Sequence, residues 1–274
     1  MDGLLVRVCS DESCLQSGIR SLEGLAEHEK AAAFNTLKQA ASGRDASSVN
    51  AANLLVGWFV QSRTAGLGNM YDLARKVAES GHYVSGDVYY LLAQCHLEAL
   101  CGQEHDAHLA LHYLRMAAGK GNAKAINNLV PHLGRDTEEG RTTVAALQRL
   151  AEAGDLRSMH NVAVLHGTGW FGQVDNDLAR HWYHKASAKG DRTSLFSLGR
   201  MMVMGVGGEQ NPALGYALIT LAADAGEPNA SRYIRDKGTA SIDDAQVAAL
   251  RRQWLSINAL PVCFVPGRCP NLHP

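Results

Sequence analysis

The chain has 274 residues, 46% of them hydrophobic and 19% charged, with a formal net charge of −1. This composition supports a buried core and excludes disorder as the dominant state. It lacks the basic excess that nucleic acid requires, so a nucleic-acid partner is not expected, and no run of about 18 apolar residues exists to span a bilayer.

The first residues, "MDGLLVRVCSDESC", have neither a basic n-region nor a long apolar core. They do not read as a secretory signal, and the expectation is a cytoplasmic protein. Residues 1–30 read as an N-terminal segment or cap. The six cysteines fall into three close pairs, Cys9 with Cys14, Cys95 with Cys101 and Cys263 with Cys269. Without a signal, reduced thiols are expected; disulfides would point instead to an exported or periplasmic protein. No C-x2-C spacing is present, which argues against a zinc knuckle.

From residue 31 the chain repeats. Short segments ending in glycine recur at Gly43, Gly81, Gly121, Gly154, Gly190 and Gly226, in steps of 38, 40, 33, 36 and 36 residues. A stride near 36 accommodates two helices and two short turns. Four residues before the last five anchors stand Val77, Ala117, Leu150, Ala186 and Ala222; eight before them stand Leu73, Tyr113, Ala146, Trp182 and Leu218. This spacing makes one helical stripe, with small residues at its end that admit a neighbouring helix. Each glycine suits the left-handed position just past a helix. Asn122, Asp155 and Asp191 follow their anchors as N-caps for a second helix. Pro212 sits where a helix begins.

The segment "SLGRMMVMGVGGEQNPALGYALITLAADAG" (197–226) resembles a Sel1-like repeat, with its small residue after Leu, its G-x-G loop and its closing A-A-x-x-G. "VDNDLARHWYHKASAKG" (174–190) and "HDAHLALHYLRMAAGKG" (105–121) resemble the family's second helix. The resemblance covers 81–238 closely and 31–80 loosely. It implies an all-α fold, a right-handed α-solenoid of antiparallel helix pairs related to tetratricopeptide repeats. About five to six repeats are expected over 31–238, closed by a C-terminal capping helix over 239–260.

Some units depart from the pattern. Pro131 should end a helix near Val130. "TAGLGN" (64–69) reads as a glycine-bearing loop, and Asn35 and Thr36 weaken the stripe before Gly43. In "SIDDAQVAALRRQWLSIN" (241–258), Ser241 and Asp244 are spaced like a capping box. Residues 261–274, with four of the seven prolines, read as a non-helical tail.

Chemistry is sparse. His105, His108 and His112 are spaced to share a helix face, with Cys101 nearby, and are weak metal candidates without a carboxylate at ligand spacing. The glycine clusters "GTGWFG" and "GVGG" lack the lysine of a phosphate loop. No G-x-S-x-G is present, no catalytic residue is assigned, and no cofactor is expected.

The resemblance implies a scaffold or adaptor role rather than catalysis, with the first helix of each pair lining a concave groove. The groove candidates are Lys124, Asn127, Asn128, Arg157, His160, Asn161, Val164, Phe196, Ser197, Arg200 and Arg232. By similarity to tetratricopeptide clamps, the basic and Asn positions would hold a peptide carboxylate. The expected partner is a protein or peptide; a dimer is compatible with the pattern. The alternatives are an immunity protein that neutralises a bacterial effector and, in a different class, a metal-binding protein or metal-dependent enzyme using the histidine face.

Overall fold

A computed structural model describes residues 9, 11–43, 45–62, 67–237 and 243–258. All regular structure among them is helical: α1 (Glu12–Glu23), α2 (Glu27–Ala40), α3 (Ala46–Ser62), α4 (Leu67–Ala78), α5 (Gly86–Leu97), α6 (Ala107–Gly119), α7 (Ala123–Leu129), α8 (Glu138–Glu152), α9 (Leu156–Gly167), α10 (Asn176–Ala188), α11 (Arg192–Met204), α12 (Pro212–Asp224), α13 (Pro228–Lys237) and α14 (Asp244–Ile257), with one 3-10 turn, Val130–His132. The fold is the expected all-α array of helix pairs. It divides into two compact units, residues 1–134 and 135–274.

Both helices of a repeat begin on a short polar side chain. Asn122, Asp155 and Asp191 accept from the backbone N–H three residues on, as the sequence predicts. Asp106, Asp175 and Asn211 do the same for α6, α10 and α12. Each cap satisfies one otherwise orphaned donor and is worth about 1 kcal/mol. Gly81, Gly121, Gly154, Gly190 and Gly226 all have positive φ, between 72° and 104°. Gly43 does not, so the first anchor is not a left-handed cap.

In the first unit, α3 is buried continuously from residue 48 to 60. Helices α1, α2, α4 and α5 all pack on it. A Cβ on Gly57 would lie 2.7 Å from Ile19 Cδ1, so α1 lies directly against α3. In the second unit, α8 packs on α9, α9 on α10, α10 on α11 and α11 on α12. Leu195, Leu198, Leu218, Leu221 and Trp254 form one cluster in its core.

Several expectations need correction. Helix α4 starts at Leu67, so Gly68 and Asn69 of "TAGLGN" are helical; residues 63–66 lie outside the described residues. Asp243, not Ser241, caps α14, accepting from Ala245 N–H; Ser241 lies outside the described residues. Cys9–Cys14 and Cys95–Cys101 are disulfides, not reduced thiols. Their close sequence spacing places the Cα atoms 5.4 and 5.5 Å apart, within bridging range. Cys263, Cys269 and the Pro-rich segment 261–274 lie outside the described residues. Helix α7 does stop at Leu129, where Pro131 forces a 3-10 turn.

Candidate partner-binding surface

Helices α9, α11 and α13 are the first helices of successive pairs in the second unit. Each buries one stripe and leaves another open. On α9 the half-buried to exposed stripe runs through Arg157, Asn161 and Val164 and on to the C-cap Thr168; on α11 it runs through Thr193, Ser197, Arg200 and Met204. Spacings of three and four place these residues on one face. The register repeats every 36 residues, so Arg232 on α13 stands where His160 and Phe196 stand on α9 and α11.

The guanidiniums of Arg157, Arg200 and Arg232 are exposed, and none makes an ion pair among the described residues. Arg200 lies 5.7 Å from the centre of the Phe196 ring, which in turn meets Tyr233 edge-on at 6.0 Å. Phe196 is 9% exposed, so it forms the floor of this surface rather than its rim.

His160 is largely sunk between repeats. Its Nδ1 is 3.0 Å from Ser194 Oγ and 3.8 Å from Asp191 Oδ2, and its ring packs 5.2 Å from Tyr183. Burial holds the imidazole below its usual range, against the opposing pull of Asp191 and Glu227. Burial also pushes the Tyr183 phenol up, against a hydrogen bond with Ser197. Serine, histidine and aspartate thus meet at one point. The serine is fully buried, at 0% exposure, and Asp191 is committed to capping α11 through Ser194 N–H at 2.7 Å. A substrate carbonyl has no path to that hydroxyl, so the geometry ties two repeats together and does not make a nucleophile.

In the first unit the candidates are more constrained. Lys124 Nζ donates to the Val60 carbonyl and lies 5.9 Å from the Tyr90 ring. Asn127 is buried and donates to Ala123 O; Asn128 donates to Tyr90 Oη at 3.4 Å. An open pocket of about 290 Å³ lies beside Lys124. Its wall is a chain of bonds in which Gln61 donates to Gln16 and to Asp87, and Asn122 donates to the other Asp87 oxygen. Asp87 was not singled out by sequence reasoning. It stands six residues past its anchor, as His160 does, and both meet the cap residue of the following repeat. That shared register was the available signal.

The histidine cluster does not assemble. Asp106 caps α6, so His105 precedes the helix and shares no face with His108 and His112. Cys101 is consumed by its disulfide. Among the described residues no group of three or more His, Cys, Asp or Glu is arranged to hold a metal ion.

The Sel1 repeat model matches residues 86–122, 156–191 and 193–227. These three segments are similar to Sel1 repeats. A solved structure described as a protective antigen, c5321, present in uropathogenic Escherichia coli strains and displaying an SLR fold is similar with a TM-score of 0.65 and 19% identity over 97% of this chain and 61% of that one. A Sel1 repeat protein from Oxalobacter formigenes is similar with a TM-score of 0.52 and 20% identity, over 74% of this chain and 58% of that one. The chain therefore spans about three fifths of the length of these two structures. The sequence matches no curated protein. Sel1 repeats serve generally as protein-interaction scaffolds. The residues between the first and second matched repeats hold Pro131 and the boundary of the two compact units.

Proposed function

We propose that this chain is a non-enzymatic scaffold that binds a carboxylate-bearing peptide segment on the first-helix face of its second unit. The observation that carries this reading is the set of three exposed arginines, Arg157, Arg200 and Arg232, which make no ion pair among the described residues and stand over an aromatic floor of Phe196 and Tyr233. Guanidinium groups offer paired donors to carboxylates, and the Phe196 and Tyr233 rings add apolar surface for neighbouring side chains. The polar residues beneath are engaged in bonds between repeats, which keeps the surface stiff and lowers the entropy lost on binding. The test is affinity capture by the wild-type chain and by the triple variant Arg157→Ala/Arg200→Ala/Arg232→Ala, followed by titration of the captured partner. The triple variant should retain its circular dichroism and bind at least tenfold more weakly, and wild-type binding should weaken with added salt. Full affinity in the triple variant would refute the surface.

We also infer an oxidising compartment, exported or periplasmic. The reading is supported by the two disulfides, which glutathione and thioredoxin would keep reduced in a cytosol. Intact mass of protein captured from its native cell with a thiol-blocking reagent tests it. Four blocked thiols at Cys9, Cys14, Cys95 and Cys101 would count against it.

A further inference from the structure

Among the described residues, six large apolar side chains are exposed in the second unit; Val164, Met204 and Ile257 stand apart on other helices, and the other three fall close together in sequence. Phe171, Val174 and Leu178 are 43%, 57% and 42% exposed, and all fall within one loop and the first turn of α10. The loop is well anchored. Trp170 N–H bonds to Leu165 O, Gly172 N–H to Gly169 O and Asp175 N–H to His166 O, and the Phe171 ring lies 4.6 Å from that of His166. A held loop that presents three large apolar groups to water has a cost that an occupant would remove.

Helix α14 leads the chain toward this patch. Arg251 pairs with Asp224, the last residue of α12. Trp254 lies further back along α12, in the cluster with Leu218 and Leu221. Helix α14 therefore runs antiparallel to α12. Arg180 in α10 donates to Val206 O and Glu209 O just ahead of α12, so α10 and α12 start side by side. Trp254 also meets the His184 ring at 5.3 Å. From His184, Leu178 is six residues back up α10, about 9 Å at 1.5 Å per residue. From Trp254, the end of α14 is one turn further in the same direction, and Ile257 there is 72% exposed. The chain leaves α14 within reach of the patch.

Beyond α14 the sequence reads "ALPVCFVPGRCPNLHP", residues 259–274. Its first half carries Leu260, Val262, Phe264 and Val265 beside Pro261. At about 3.1 Å per residue, this first half extends roughly 20 Å, enough to cross the patch. We propose that residues 259–265 dock in extended form on the patch of Phe171, Val174 and Leu178, so that the chain covers its own apolar strip. This inference is independent of the arginine surface, which lies on other helices' faces.

Two measurements on the full chain test it. A photo-crosslinking side chain at position 264 should react within the monomer, with residues between 166 and 181. Trypsin should cut after Arg268 at least tenfold faster in Phe171→Asp/Leu178→Asp than in wild type, with unchanged circular dichroism. Crosslinks elsewhere, crosslinks between two copies, or equal cleavage rates would overturn the proposal.

Discussion

Gly199 and Gly215 face each other where α11 crosses α12. A Cβ on Gly199 would lie 2.7 Å from Gly215 O and 2.7 Å from Ile219 Cγ1. One of those atoms is backbone and cannot rotate away. Gly199→Ala should therefore lose about 2 kcal/mol of stability in urea denaturation, the overpacking cost outweighing alanine's better helix propensity. The sequence marks this position only as small and one residue after Leu198; the opposing Gly215 is not visible from spacing. His160 offers a second test at the same scale. Its folded pKa lies below the usual value of 6.5 because it is buried. Above about pH 6.5 both folded and unfolded states hold it neutral, and no stability is lost. As pH falls through that value the unfolded chain takes up a proton that the folded chain refuses, so stability declines and then levels off below the folded pKa. His166 and His184 shift in the same direction for the same reason. Melting temperature should fall between pH 7.5 and 5.5, and His160→Asn should fall by less. An equal fall in both proteins would show that His160 is not a source of the dependence.

The turns show how one element can be built from two chemistries. The loops after α9 and α11 use Gly169 and Gly172, and Gly205, Gly207 and Gly208, all at positive φ. The loop after α5 instead places Ala99 at φ 50° and Cys101 at φ 59°, with Gly102 at 72°. An L-residue in the left-handed region costs about 1 kcal/mol or more. The Cys95–Cys101 disulfide closes that loop covalently. A short loop of this kind gains about 2 kcal/mol from its cross-link in the chain-entropy model. Cys95→Ala/Cys101→Ala should lower stability by about that amount, and adding Ala99→Gly should recover about 1 kcal/mol of it, read by thermal melts. The glycine loops were legible because they match the repeat. This one was not, because Ala99 and Cys101 are not residue types that mark a left-handed turn, and the close Cys95–Cys101 spacing was read as a pair of reduced thiols.

At the scale of the whole molecule, the helical array was legible because each repeat writes the same stripe, cap and glycine, and only mutual stacking buries that stripe. The candidate surface was legible only in part. Spacing placed Arg157, Arg200 and Arg232 on the first helices of their pairs, but it could not show that His160, Asn127 and Asn128 bond within the array, since those partners lie on neighbouring helices about 34 to 38 residues away or one turn back. In an array held by nearest neighbours, stability is a sum of unit and interface contributions, so damage should stay local. Within the second unit, Gly199→Ala breaks the α11–α12 contact directly, whereas α8 meets α9 and is separated from α11 by two helices. Amide exchange should therefore accelerate most in α11 and α12, less in α10 and α13, and least in α8, with the gradient following order along the chain. A compact globule with one shared core would instead lose protection uniformly. Uniform acceleration across residues 138–237 would thus contradict the stacked-pair description of this unit, even if the total loss of stability matched the expected value.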